Sequence, residues 1–292
     1  MKEKNLIHKL RLSQQLQAEG KSLHALQLLK SLIQYSDDER IYFQLAELYE
    51  DMGFIQSGKN TLLELIEIYP DNIDIKLFIG QYLLRNVQWF DSIEILSEIS
   101  SERPISIFLI AYAYMMLGEF EVASDYFRKY ILSDNNQELI QEANLYLAKI
   151  EYELQNFDIA LKYAEKAKYL YSNFWELNLV LAKLYYSLGM YAHALNPIQK
   201  ALKESSKEKS ILEFAGKIYF ALDEYEKAIK YLSDFIEQST EVSAEIYTLL
   251  ARAFLKVSKI NEASLFFQLA LQIDPDYFPA ANGINDIKKF NF

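Results

Sequence analysis

Four basic side chains stand out by their spacing. Lys149, Lys183, Lys217 and Arg252 follow one another at intervals of 34, 34 and 35 residues, and the first three are each followed three positions on by an aromatic ring, Tyr152, Tyr186 and Phe220. Three residues is close to one helical turn, so each base and its ring share a helix face. Such a ladder can hold acidic side chains, or a carboxylate, of an extended peptide while the rings take its apolar residues. The same bases have acids available as local partners, Glu142, Glu176, Glu245 and Glu153, and solvated pairs of that kind contribute little. Both readings stay open at the level of sequence. Other chemistry is sparse. His8, His24 and His193 lie far apart with no ligand four residues away, so no metal site is expected. The 292 residues include no cysteine, which excludes disulfides, thiolate ligands and a lipid-modified cysteine. There is no Gly-rich phosphate loop, nucleophile elbow or Cys/His arrangement. No cofactor is expected, and the chain reads as a non-enzyme. Asp37, Asp38 and Glu39 read as helix capping.

A ladder needs elements that repeat its geometry. Eight glycines and 5 prolines in 292 residues are too few for an all-β chain, which needs a turn every few residues, and too few for long flexible linkers. A helical repeat accounts for the scarcity. One small residue recurs as Ser13, Ala46, Gly80, Ala111, Ala148, Ala182, Gly216 and Ala251, at spacings of 33, 34, 31, 37, 34, 34 and 35. Twelve residues after each comes a second: Ala25, Gly58, Ser92, Ala123, Ala160, Ala194, Ala228 and Ala263. Three residues after the first mark stands Leu16, Tyr49, Leu83, Tyr114, Tyr185, Tyr219 or Phe254, with Glu151 as the exception in the fifth repeat. Helices approach closely only where side chains are small, and large residues then fill the space beside them.

This pattern resembles the tetratricopeptide repeat, a helix–turn–helix unit of about 34 residues. The resemblance covers nearly the whole chain, with repeats at about 6–38, 39–72, 73–103, 104–137, 141–174, 175–208, 209–242 and 244–277, read as a single array. It implies an all-α fold: an α-solenoid, a right-handed superhelix of antiparallel helix–turn–helix repeats. Residues 278–292 are expected to add a C-terminal capping helix, with Ala281, Ile284 and Ile287 on its apolar face. Pro104 is expected to open a helix and Pro197 to kink one. The polar stretch 133–137 reads as a long junction that changes pitch without separating domains. Gly283, Pro197 and Pro279 are the breakers that the repeat leaves unexplained.

In this family the first helices line the concave surface, where ligands lie. The helical period puts residues at −6, −3, +1, +4 and +5 from the first small mark on that face. At −3 it carries Leu10, Phe43, Leu77, Phe108, Leu145 and Leu179, then Glu213 and Thr248; at +4 it carries Gln17, Glu50, Leu84, Met115, Tyr152, Tyr186, Phe220 and Leu255. With Tyr112 at +1 of the fourth repeat, the face is expected to be unusually apolar, and an exposed apolar patch of that extent marks a binding surface. The expected protein- or peptide-binding residues are Phe43, Leu77, Leu84, Phe108, Tyr112, Met115, Lys149, Tyr152, Lys183, Tyr186, Lys217, Phe220 and Arg252. The family's clamp for C-terminal carboxylates needs lysine and asparagine at −3 and +1. Here −3 is apolar in six repeats and +1 never carries asparagine, so that mode does not fit.

Charge narrows the partners. The net charge is −11, so the basic footprint that nucleic acids select is missing. No apolar run approaches the roughly 18–20 residues of a membrane span. The first nine residues have no apolar h-region, so no secretory signal is expected and the cytoplasm is the expected compartment. The expected role is a scaffold or adaptor that binds an acidic or apolar segment of another protein in assembling a larger complex. A receptor for a short peptide or small ligand and a self-associating structural protein are the alternatives.

Overall fold

One left-handed residue closes the turn inside every repeat. Gly20, Gly53, Gly118 and Gly189 have φ between 71° and 80°, and Val87, Gln155, Asp223 and Ser258 have φ of 61–62°. All eight stand seven residues after the first small mark. Each turn makes the same two hydrogen bonds. In the first repeat, Lys21 N–H donates to the Leu16 carbonyl at 2.8 Å and Gly20 N–H to the Gln17 carbonyl at 2.9 Å. In the fifth, Asn156 donates to Glu151 at 2.8 Å and Gln155 to Tyr152 at 3.0 Å. This is the Schellman pattern, which satisfies orphan carbonyls at a helix end and reverses the chain.

The computed structural model describes residues 3–290, and these hold seventeen α-helices and no strand. The helices form eight antiparallel pairs and a final single helix. The chain divides into two compact units, Met1–Asn135 and Asn136–Phe292, at the polar stretch 133–137. The first unit contains α1 (Glu3–Ala18) with α2 (Ser22–Ile33), α3 (Glu39–Asp51) with α4 (Ile55–Ile68), α5 (Ile73–Arg85) with α6 (Trp89–Glu98), and α7 (Pro104–Met116) with α8 (Phe120–Ser133). The second contains α9 (Gln137–Glu153) with α10 (Phe157–Tyr171), α11 (Trp175–Ser187) with α12 (Tyr191–Glu204), α13 (Lys209–Ala221) with α14 (Tyr225–Gln238), α15 (Ala244–Lys256) with α16 (Ile260–Ile273), and then α17 (Phe278–Phe290). The architecture is an all-α solenoid of helix–turn–helix repeats.

All sixteen small marks are buried. At the glycine marks nothing larger fits: a Cβ at Gly80 would strike Leu96, and one at Gly216 would strike Leu232 at 2.5 Å. Where a mark is serine, the hydroxyl is satisfied inside the contact; Ser92 Oγ donates to the Gly80 carbonyl at 2.8 Å. The cores are strings of side chains shared between neighbouring repeats. One runs from Leu6 to Leu83 in the first unit. In the second, one string holds Leu145 and Leu184, and another holds Leu179 and Ala253. No single pair buries its own apolar face, so stability is close to a sum over neighbours.

Local signals set the helix ends. Asp38 Oδ1 accepts from the Arg40 N–H at 3.1 Å, and Asn72 Oδ1 from the Asp74 and Ile75 N–H groups at 3.0 and 3.1 Å. Pro104 opens α7, where its missing N–H costs nothing. Helix α12 runs on through Pro197. Two breakers left open by the repeat are explained by α17. Pro279 lies in its first turn. Gly283 faces the Phe267 ring so closely that a Cβ would collide with it. Ala280 and Ile287 are buried and Ile284 packs beside them. The helix thus covers the last repeat, with Ala280 rather than Ala281 as the fully buried alanine.

Val87 holds a φ of 62° with a β-branched side chain that is 66% exposed. A left-handed L-residue costs about 1–2 kcal/mol, and glycine relieves this at an entropic cost of about 0.5–1 kcal/mol. Val87→Gly is therefore expected to stabilise the chain by roughly 0.5–1 kcal/mol, read as a higher urea midpoint with unchanged slope. A lower midpoint would contradict the strain at this turn.

Candidate peptide-binding face

The first helices of the second unit, α9, α11, α13 and α15, contact one another in sequence, more closely than the second helices do. The side with the closer-set helices is the inner side of this unit. On these helices the +1 and +4 side chains are partly exposed, and Arg252 is exposed.

Lys149, on α9, pairs with Glu176 at the start of α11 and lies 5.6 Å from the Tyr146 ring centroid. Lys217, on α13, lies 2.7 Å from Glu213 and 3.5 Å from Glu245 on α15. Lys183, on α11 between them, makes no ion pair or hydrogen bond among the described residues. Its ammonium sits over two rings instead, 5.8 Å from the centroid of Tyr152 and 5.0 Å from that of Phe214. Lys217 lies 5.2 Å from the same Phe214 ring. A desolvated cation over a ring gains about 0.5–2 kcal/mol, less than a carboxylate partner in the same place would give.

The two lysines are driven in opposite directions. Burial pulls the Lys183 ammonium below the usual lysine range, helped by Lys149 and Lys217 and only partly opposed by Glu153 and Glu213. Burial also acts on Lys217, but its hydrogen bond to Glu213 and the charges of Glu213 and Glu245 outweigh that and hold it above the usual range. Burial likewise pushes the Tyr186 hydroxyl up.

A pocket of about 230 Å³ opens beside Lys183. It is lined by Lys149, Tyr152 and Glu153 of α9, by Trp175, Glu176, Leu179, Val180 and Lys183 of α11, and by Ser210 of α13. Three residues expected from sequence, Lys149, Tyr152 and Lys183, therefore meet in one place. Tyr186 is carried alongside, 6.0 Å edge-to-face from Phe214. Phe220 lies further along, against Tyr225 at 5.6 Å, and Arg252 is exposed on α15.

Elsewhere the expected apolar face needs correction. Leu84 and Phe108 are buried, 8% and 6% exposed. Leu84 lies among Leu96, Ile99 and Ile110; Phe108 packs edge-to-face on Phe127 and Tyr130 at 5.4 and 5.3 Å. Neither can meet a ligand without unpacking a repeat. The −3 stripe as a whole mostly serves packing, since Leu10, Leu145, Leu179 and Thr248 are buried too. Phe43 is half-buried and stacks at 3.8 Å on Phe78 of the next first helix. Leu77 and Tyr112 pack against the Leu84 cluster, and Met115 is half-buried. A residue at −3 points toward the adjacent helix rather than away from it.

Sequence reasoning missed Trp175, Phe214 and Ser210. Two of them left a signal. Phe214 precedes Lys217 by three residues, as rings and bases do on one helix face. Ser210 interrupts the −6 stripe, which is otherwise acidic here as Glu142, Glu176 and Glu245.

The opposed shifts give a pH test. A depressed lysine costs stability below its folded pKa, and that cost is relieved as pH rises toward the unfolded value. A raised lysine contributes stability that is complete below the unfolded value and lost as pH rises through the folded one. In an NMR titration of lysine ε-carbons, Lys183 is expected to lose its proton at lower pH than Lys217. The reverse order would contradict the pairing described.

Comparison with known proteins agrees with this architecture. Tetratricopeptide repeat models match residues 39–72, 108–173 and 244–277. A model described as anaphase-promoting complex, cyclosome, subunit 3 matches residues 153–235. No curated protein matches the sequence. Among solved structures, a tetratricopeptide repeat protein from Parabacteroides merdae aligns over 85% of this chain and 97% of its own, with 18% identity and a TM-score of 0.57. The Cut9–Hcn1 hetero-tetramer of the APC/C aligns over 91% of this chain and 52% of that one, with 19% identity and a TM-score of 0.58. PilF of Pseudomonas aeruginosa aligns over 72% of this chain and 95% of its own, with 16% identity and a TM-score of 0.59. At these identities the likeness is one of fold. The repeat models matched along the chain, with the repeat spacing, the buried small marks and the eight matching turns, show that the chain belongs to the tetratricopeptide repeat family.

Proposed function

We propose that this protein is a non-catalytic scaffold or adaptor that binds a peptide segment of a partner protein along the first-helix face of residues 136–292, in the assembly of a larger complex. The observation that carries the reading is the alternation of rings and lysines on that face, with the ammonium of Lys183 held over Tyr152 and Phe214 beside an open pocket. An extended peptide can lay apolar residues on the rings and polar ones on the bases. The pocket is smaller than the roughly 300–1,000 Å³ of sites that enclose a drug-sized ligand. That favours a side chain of a longer segment over a whole small molecule. The Cut9–Hcn1 relative is itself part of a multi-chain assembly by its description, which is in keeping with a scaffold role. No helix among the described residues is long and apolar enough to cross a membrane.

Photo-crosslinking in the source cells tests this. A benzoyl-phenylalanine at Tyr152 or Tyr186 is expected to trap a partner chain. The same probe at Tyr169, 81% exposed on the second helix α10, is expected to trap none. Lys217 is held by two carboxylates, so reversing it would perturb folding; the binding test therefore uses Lys183→Glu. That change should lower the crosslink yield at least about tenfold, or about 1.4 kcal/mol, with unchanged circular dichroism. Adducts from Tyr169 alone, or an unchanged yield in Lys183→Glu, would reject the reading.

A further inference from the structure

The second unit repeats one ion pair with a fixed register, and the register fails at one place. Lys149, at +1 of its repeat, pairs with Glu176, at −6 of the next repeat. Lys217, again at +1, reaches Glu245, also at −6 of the next repeat. The same step from Lys183 leads to Ser210. A serine side chain is too short to reach an ammonium one helix away, and it carries no charge. The result is the lysine described above: half-buried, without an ion-paired carboxylate, at the edge of a pocket that Ser210 itself lines.

We propose that Ser210 leaves vacant an acid-binding position, and that an aspartate or glutamate side chain of the bound segment fills it by pairing with Lys183. The inference rests on the proposed scaffold role and names the chemistry of its ligand. A carboxylate side chain is the favoured occupant because glutamates fill the matching places in the repeats on either side. The Ser210 hydroxyl adds a donor for the second carboxylate oxygen. Trp175, Leu179 and Val180 form an apolar wall for the residues that flank the acid. A more highly charged anion is disfavoured, since Glu153 and Glu176 line the same pocket. Glu153 plays a second part. Its charge acts on Lys183 through space without an ion pair, so it opposes an incoming carboxylate and should lower affinity.

The test fills the vacancy from within. Ser210 is the second residue of α13, where an acidic side chain suits the helix N-terminus, so Ser210→Glu is expected to fold. The probe is an end-blocked Leu-Glu-Leu-Glu-Leu peptide, with the glutamine counterpart as control, titrated by NMR against the full chain. Expected results are at least tenfold weaker binding of the glutamine peptide, at least tenfold weaker binding of the glutamate peptide to Ser210→Glu, and tighter binding to Glu153→Gln. Ser210→Ala keeps the vacancy and should bind within about threefold of the parent chain. Equal binding of the two peptides, or full binding to Ser210→Glu, overturns the vacancy. If peptides still perturb Tyr152 and Tyr186 in that case, the scaffold reading stands without it. If no peptide perturbs the first-helix face and crosslinks there also fail, both fall.

Discussion

The distance at which two helices can pack against an alanine or a glycine governs the rest of this protein. That distance is set by what is missing: at Gly80, Gly216 and Gly283 a single added carbon meets a neighbouring side chain. Because the close approach recurs at near-constant spacing, each helix pair presents the same residues to the same neighbours. The left-handed turn seven residues after the mark holds the pair closed. Everything built on the surface inherits this register, including the step that brings a lysine at +1 of one repeat to a glutamate at −6 of the next.

A repeated register makes exceptions visible. Glu151 stands where other repeats carry a large apolar or aromatic side chain, and it is buried, accepting from the Asn156 side chain at 2.9 Å. Ser210 stands where three neighbouring repeats carry glutamate, and beside it the ammonium of Lys183 is half-buried with no ion pair among the described residues. The two exceptions differ in consequence. Glu151 has hydrogen-bonding partners at the turn of its own repeat. Lys183 has rings, which reward a cation less than a carboxylate does. A poorly compensated group beside a pocket is a candidate for a functional site.

Much of this was legible in the sequence because close packing leaves a periodic trace. The sixteen small marks, the Pro104 helix start and the terminal helix could be placed from the sequence alone. The turns at Val87, Gln155 and Ser258 could be inferred only from register, since their residue types do not favour positive φ, whereas Asp223 is of a type enriched there. The binding face was less legible. Periodicity gives the direction of a side chain from its own helix axis but not the distance to the next helix. Leu84 and Phe108 were therefore expected on an open face and lie in the core. The lysine ladder was seen, but which rungs pair locally depends on inter-helix contacts that spacing does not specify. Phe214 and Trp175 were missed because they sit one position outside the assumed stripe.

The central claim is that Lys183 lacks a partner because position 210 holds serine. A double-mutant cycle on stability addresses it without any ligand. Ser210→Glu is combined with Lys183→Met, and the four chains are compared by urea unfolding. The account predicts that Ser210→Glu stabilises the chain more when Lys183 is present than in the Lys183→Met background, with a coupling of about 0.5–1.5 kcal/mol. Equal effects of Ser210→Glu in both backgrounds would show that the two positions do not meet, and would contradict it.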